Sequence, residues 1–540
     1  MTTGFIAGLI LFALTFTFAH LRGLALMKFF QQEEYDGRRF LGWFRHARAF
    51  DRAASLWWLV AVIIALAGYR APGVALTLIG FGHGILLSRR VSKEAKKALV
   101  MTERVKRIHL VYLVLAGLLA AYVGYDLSLS EDEAFLNASY EGLNLIPLVQ
   151  LLPLVLVLAN FMLSPFEARV KARFRAEAVE KFNRLAPKVI AITGSFGKTS
   201  TKHILHHILS AAAPTLATPG SVNTDMGITR VIRESLTPEH GFFIVEMGAY
   251  GPGSIARLCK LTPPDVGLIT AVGAAHYERF KSLETVAKAK FELAEATFRR
   301  GGPVIVNAGG IAPNLLAERM TAVTGDYRLL GDGGALVLEK SEMTADGLVL
   351  TLREGEATET LKVPLWGHHQ AGNVALAALT ARALGLPWSA IRGALATMGQ
   401  IRHRLEVTKA PGQPTIVNDA YNSNPVGFKA ALETLDVLKA DGGKRILVTP
   451  GMVELGARHD EDHLELGKAA ATHADIVAVV TPDRIPTFVE GLKAAGTAVE
   501  VREFAKQDEA EAFVRGIVKA GDVVLFENNL PDLYEAKVRF

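Results

Sequence analysis

The residues with the clearest capacity for chemistry lie at 192–200, Ile192-Thr193-Gly194-Ser195-Phe196-Gly197-Lys198-Thr199-Ser200, between a hydrophobic strand-like run and a helix-like stretch at 201–209. A glycine-bearing loop in that setting turns backbone N–H groups and a helix N-terminus toward phosphate oxygens. Lys198 adds a point charge, and the Thr199 hydroxyl can ligate magnesium. A full Walker A loop has glycine six residues before the lysine; Ile192 stands there, so this is a shorter G-x-x-G-K-T form.

Further candidates follow downstream. Glu246 ends the hydrophobic run 242–246, where a carboxylate could hold magnesium beside a nucleotide. The run 265–271 leads into Gly273-Ala274-Ala275-His276, which sets an imidazole at a strand's C-terminal end, where α/β ligand sites gather. Lys288 and Lys290 sit in a helical segment whose plainest reading is an amphipathic face with solvated lysines. The helix-borne His203, His206 and His207 read as packing. His459, Asp460, Glu461, Asp462 and His463 read as a charged helix start. The lone Cys259 excludes an internal disulfide and a cysteine metal cage, fits a reducing compartment, and reads as a core residue.

These residues need a scaffold that aligns strand ends. From 187 onward, short β-branched runs alternate with helical segments, the pattern of parallel sheets with crossover helices. Strands are expected at 188–193, 242–246, 266–271 and 304–307, an antiparallel stretch near 335–364, and a helix at about 371–383. A second alternation, with strands at 415–418, 445–449, 476–480, 498–501 and 523–526, reads as a separate Rossmann-like domain.

The first 163 residues differ in kind. Half of the 540 residues are hydrophobic and the mean hydropathy is +0.25, with the excess before residue 164. Apolar stretches near 3–21, 55–69, 72–88, 108–125 and 143–163 read as five transmembrane helices. The middle pair is the least regular, because Arg70 and Pro72 interrupt it; the alternative reading makes these two short stretches a re-entrant hairpin and leaves three spans. Stretch 4–18 lacks the charged flank and cleavage site of a removed signal peptide. Segments 22–52 and 89–107 hold seven and eight Lys or Arg, whereas 126–142 holds five acidic residues and no basic one. That alternation puts the N-terminus outside and everything after 163 in the cytoplasm. The basic stretch 164–186 reads as a juxtamembrane helix, lying on anionic lipid or simply solvated. Residues 1–186 carry 22 Lys and Arg against 14 Asp and Glu, so their +8 exceeds the whole chain's +5 and leaves −3 for residues 187–540. The latter therefore lack the basic footprint that nucleic-acid binding requires.

Taken in order, the motifs of 187 to about 535 resemble the Mur ligase family of ATP-dependent amide-bond-forming enzymes. The nearest branch is the muramoyl ligases that add D-alanyl-D-alanine. The resemblance rests on the loop at 194–199, Thr218-Pro219-Gly220-Ser221-Val222-Asn223, Glu246-Met247-Gly248-Ala249, Asn418-Asp419-Ala420-Tyr421-Asn422-Ser423-Asn424-Pro425 and Gly451-Met452-Val453-Glu454-Leu455-Gly456. It implies that Gly194 to Ser200 bind the ATP phosphates, with Thr199 and Glu246 at a first magnesium. His276 and Lys290, the latter as a carbamate, would serve a second ion; Lys288 is the alternative if the register slips. Asn373 takes the adenine side, and Gln370 departs from the family's usual asparagine. Arg404 reaches the phosphates from an interdomain hinge, Asp419 lies near the ribose, and Tyr421 and Asn424 shape the same wall. His463 matches a recurrent family position near the incoming amino substrate.

The expected architecture is thus an α-helical transmembrane region (1–163), a basic linker helix (164–186), a central P-loop ATPase-like domain (187–401) and a C-terminal Rossmann-like domain (402–540). The expected activity is ATP-dependent ligation through an acyl phosphate. An amino acid or dipeptide would be added to a cell-envelope precursor; because membrane helices stand where the family has its nucleotide-sugar domain, that donor is expected either at the membrane, as a lipid-linked precursor, or held by another protein. Two other readings stay open: a ligase for another envelope polymer such as poly-γ-glutamate, and an NTP-driven membrane transporter or switch. His83 and Asn160, the few polar groups in the spans, give transport little support.

Overall fold

The computed structural model describes residues 3–94, 98–130, 133–273, 280, 282–420, 424–453, 455–496 and 498–529. It falls into two compact units, Met1–Lys171 and Ala172–Asn529, and the division lies inside the helix Gly142–Leu185.

In the first unit, Thr3–Gln32, Arg70–Glu94, Glu103–Ser128 and Gly142–Leu185 are long and apolar enough to cross a membrane. The remaining apolar helix, Ala53–Leu66, has 14 residues. At 1.5 Å per residue it covers about 21 Å, short of a bilayer core of ~30 Å. Among the described residues, the five expected crossings become four helices long enough to cross and one short one. Pro72 falls in the first turn of its helix, where no backbone N–H is needed, so the irregularity at 68–72 is a turn between two helices. The bundle has two chemically distinct ends. At one, Arg70 meets Glu133 at 2.5 Å, and Asn144 donates to Asp126 at 3.1 Å. At the other, Lys28 Nζ donates to Ser92 O (2.8 Å), Gln31 Nε2 to Val100 O (2.9 Å), and Arg22 pairs with buried Asp51 at 2.7 Å. The basic segments therefore meet at one end, and the 66–70 turn joins the acidic segment at the other.

The stretch expected as a separate linker continues Gly142–Leu185 without a break. Its last turns, from Ala172 on, belong to the second unit and pack within it: Ala178 and Phe182 are buried, Arg175 pairs with Asp225, Lys181 Nζ donates to Arg233 O (2.8 Å), and the Arg233 guanidinium lies 4.0 Å from the Phe174 ring centroid.

The second unit is built on three sheets. In the first, β1 (Lys188–Thr193), β2 (Thr215–Ala217), β3 (Phe242–Glu246), β4 (Val266–Ile269), β5 (Val304–Asn307) and β6 (Tyr327–Leu330) run parallel in the order β2-β3-β1-β4-β5-β6. The chain leaves β1 toward one side and later fills the other, so the carboxyl ends of β1, β3 and β4 flank a topological switch point, where α/β folds bind ligands. An antiparallel sheet of β7 (Val337–Thr344), β8 (Gly347–Glu354) and β9 (Ala357–Val363) follows. The third sheet has the order β10-β11-β15-β12-β13-β14, made of β10 (Glu406–Thr408), β11 (Thr415–Asp419), β12 (Arg445–Thr449), β13 (Ile476–Val480), β14 (Glu500–Phe504) and β15 (Val523–Glu527). Only β10 is antiparallel to its neighbour. Ile190, Ile192 and Ile244 pack against Ile204, Leu205 and Ile208 of the helix Lys198–Ser210, which fixes that helix at the end of β1.

Candidate nucleotide and metal site

The loop after β1 is shaped by close approach. A Cβ on Gly194 would lie 1.9 Å from Thr270 Oγ1, and one on Gly197, at φ +80°, would lie 2.4 Å from Asn373 Oδ1. The end of β4 braces the loop: Ser195 N–H donates to Ala271 O (2.8 Å), Ser195 Oγ accepts from Gly273 N–H (2.9 Å), and Thr270 Oγ1 donates to Phe196 O. Gly197 is the N-cap of Lys198–Ser210 and supplies no side chain, so the first-turn N–H groups are left for an anion. Lys198 Nζ curls over the loop, donating to Gly194 O at 2.8 Å. Gly194→Ala should therefore weaken ADP binding about tenfold to a hundredfold through strain of ~1–3 kcal/mol, as calorimetric titration would show.

Glu246 lies beside this loop because β3 pairs with β1 in the register Ile192↔Glu246. Its buried carboxylate accepts from Thr199 Oγ1 (3.0 Å), Lys202 Nζ (3.1 Å) and Asn223 Nδ2 (3.2 Å), and Tyr250 O–H donates to Asn223 Oδ1 at 3.1 Å. A hydroxyl and a carboxylate side by side are hard oxygen donors that suit magnesium, which takes its other ligands from phosphates and water. His276 lies outside the described residues.

Lys290 is 4 % exposed and lines one cavity with Gly194, Ser195, Lys198 and Tyr250, whereas Lys288 points to solvent. Burial, reinforced by the Lys198 charge, pushes the Lys290 ammonium well below the usual lysine range. Lys290 is thus a buried lysine at the cavity, not the solvated lysine of the plainest reading, and Lys288 lies on the exposed side of the same helix.

Asn373 packs on the loop through Thr201 Oγ1 (3.2 Å to Oδ1), and its Nδ2 donates to Gln370 Oε1 at 2.9 Å. The departure at Gln370 is thus absorbed by a side-chain pair. Arg404 stands in a turn whose flanks, His403 (φ +58°) and Leu405 (φ +51°), are both left-handed; Asp419 holds it by accepting the Leu405 N–H at 3.0 Å. Burial lowers the pKa of Lys198 and of Lys202 against the opposing effect of Glu246, and the Arg404 charge lowers both further. Asp419 is 1 % exposed and in register with Glu527 on β15, so its carboxylate serves the hinge. Burial, with Asp419 beside it, pushes the Glu527 carboxyl well above the usual range.

Asn424 caps the helix Pro425–Leu438 through Gly427 N–H (2.9 Å), while Tyr421 lies outside the described residues. His463 is buried, accepts the Met452 N–H at 3.0 Å and donates through Nδ1 to His459 O at 2.6 Å; burial lowers its pKa to about 4. His206 and His207 bond to backbone carbonyls at 3.1 and 2.8 Å, as packing residues do. Sequence reasoning missed Lys202 and Thr270. The first had a signal, its i+4 spacing from Lys198, which places both on one helix face.

With this geometry in view, the comparisons define the class. Residues 192–381 match the Mur ligase middle domain and residues 403–527 the Mur ligase, glutamate ligase domain. The two stretches together take up more than half of the chain, which belongs to the Mur ligase family. Within it, the chain is 32 % identical over 288 residues to the UDP-N-acetylmuramoyl-tripeptide–D-alanyl-D-alanine ligase of Escherichia coli, covering 52 % of this chain and 62 % of that one. It is 31 % identical over 303 residues to the ligase of the same name from Bacillus subtilis, covering 56 % and 62 %. Among solved structures it is similar to MurF from Thermotoga maritima in complex with ADP (28 % identity, TM-score 0.58, 68 % of this chain and 82 % of that one) and to MurF from Acinetobacter baumannii (26 %, 0.58, 68 % and 79 %). The chain spans about three fifths of the length of those curated relatives.

Proposed function

We propose that the second unit is an ATP-dependent ligase that joins an amine acceptor, D-alanyl-D-alanine or a similar amino compound, to the carboxylate of a peptidoglycan precursor. The observation that carries this reading is the convergence of Thr199, Lys202 and Asn223 on Glu246 beside the 194–199 loop, with Lys290 in the same cavity. The similarity to D-alanyl-D-alanine ligases supports the acceptor, and the ADP complex of a similar protein supports the nucleotide.

In this mechanism the loop N–H groups and Lys198 hold the ATP phosphates, and Arg404 adds charge from the hinge. Thr199 and Glu246 would hold magnesium; His276 and a Lys290 carbamate would hold a second ion. Magnesium supplies charge neutralisation at the transferred phosphoryl group. A carboxylate oxygen of the donor attacks the γ-phosphorus and ADP leaves. The acceptor amine then attacks the acyl carbon, phosphate departs and the amine loses a proton. Ligands from both domains of the unit would exclude water from the acyl phosphate. Purified full-length protein should release ADP only with donor and acceptor together, with a product heavier than the donor by acceptor minus water; ADP release that ignores the acceptor would contradict the reading.

The same reading anchors the chain in the membrane with the ligase unit in the cytoplasm. Leu59, Ile63, Leu110, Leu118, Leu158 and Phe161 of the first unit are exposed, while Arg22 and Asp51 are paired inside, the reverse of a water-facing bundle. Because the 66–70 turn shares an end with the acidic segment, Ala53–Leu66 and Arg70–Glu94 act as a hairpin that keeps both basic segments on one side. The chain should stay in the pellet when membranes are washed with alkaline carbonate; release to the supernatant would contradict anchoring. A lipid-linked donor should then outperform its soluble nucleotide-linked counterpart, and equal rates on both would argue against presentation at the membrane.

A further inference from the structure

Lys202 is a charge that the phosphate-binding role leaves unexplained. It is 0 % exposed, on a helix position otherwise suited to an apolar side chain, among Ile204, Leu205 and Ile208. Removing an ammonium from water is costly unless it is paired, and here the pairing is complete. Nζ donates to Glu246 Oε2 at 3.1 Å and to the carbonyl of Gly220, whose φ of +51° belongs to the loop that also brings Asn223 to Glu246 Oε1. Lys202 therefore ties three elements together: the helix after the phosphate loop, the end of β3, and the loop at 218–223. Of the two cations on this helix face, Lys198 reaches back to Gly194 O, toward the phosphate side, and Lys202 reaches to the carboxylate.

A carboxylate that ligates magnesium does so through its negative charge, and an ammonium on one of its oxygens cancels most of that charge at short range. Glu246 with Lys202 attached is a weak cation site by itself, and the phosphates of a nucleotide restore the negative charge that the ion needs. We propose that Lys202 is a positioning residue that holds Glu246 in its ligating orientation, neutralises it in the nucleotide-free protein, and so makes magnesium binding conditional on nucleotide. The consequence is ordered loading: metal arrives with ATP rather than ahead of it. This inference rests on Glu246 and Thr199 forming the first magnesium site.

The test is Mn²⁺ binding to full-length protein, read from the electron paramagnetic resonance signal of free Mn²⁺, with and without ADP. Wild type should bind Mn²⁺ tightly only with ADP. Lys202→Met should bind Mn²⁺ without ADP at least about tenfold more tightly than wild type does, and the added Glu246→Gln substitution should erase that gain. Lys202→Gln serves as a second variant, and thermal unfolding reports whether each is folded. A merely structural role would lower the Tm and leave nucleotide-free Mn²⁺ affinity where it was, which would overturn the proposal. So would tight nucleotide-free binding by wild type, a result that stands even if neither variant folds. If wild type fails to bind Mn²⁺ with ADP present, the magnesium reading itself fails.

Discussion

Lys290→Ala should abolish acceptor-dependent ADP release, with kcat down by about a thousandfold while ADP still binds. The expectation comes from three features of one side chain: it is buried, it shares a cavity with Lys198, and both burial and that neighbouring charge lower its pKa and so favour the neutral amine. A neutral amine adds to carbon dioxide, forming the N–C bond of a carbamate and releasing one proton. The product is an anion that relieves the repulsion from Lys198 and offers oxygen ligands to a metal. In ¹³C-bicarbonate the wild-type protein should show a carbamate carbon resonance that Lys290→Ala lacks. Lys288→Ala, on the solvent side of the same helix, should keep both the resonance and the rate.

Lys198→Met should be as damaging, by a different route. Its ammonium is the nearest cation to the phosphate loop, held at Gly194 O within a structure that Gly194, Gly197 and Thr270 pack tightly. Methionine keeps most of the stem and removes the charge, so the loop should survive while the transition-state charge loses a stabilising partner, about a hundredfold to a thousandfold in kcat. ADP affinity should fall as well, because the loop binds phosphate in the ground state too. A variant with normal kcat would remove Lys198 from the chemistry.

Much of the second unit was legible in the sequence because buried parallel strands read as unbroken β-branched runs. β1, β3, β5, β12 and β13 lie where those runs predict. The strands that escaped, β2, β6 and β10, are short edge strands without such a run. β14, also at an edge, lies at 500–504 rather than 498–501. The phosphate loop and Glu246 were legible because local sequence builds them. The Lys202 pairing was not, since an isolated lysine in a helix looks solvated until β3 and the 218–223 loop close over it. The hydrogen bond from the Leu405 N–H to Asp419 was equally hidden, since it depends on the turn at 403–405 folding back onto β11. In the first unit, composition located the apolar helices of the described residues but not their lengths, because Ala53–Leu66 gives way to a turn with Gly68 in the left-handed region at φ +93° before a bilayer's thickness is reached.

The loop at Gly194 to Thr199 should drive amide ligation. The most direct measurement is ADP release by purified full-length protein over a panel of amino acids and dipeptides with a muramoyl-peptide donor, alongside mass spectrometry of the product. Release should require both donor and acceptor, be greatest with D-alanyl-D-alanine, and accompany one amide formed per ADP. Nucleotide turnover that proceeds without an acceptor and yields no amide would contradict it.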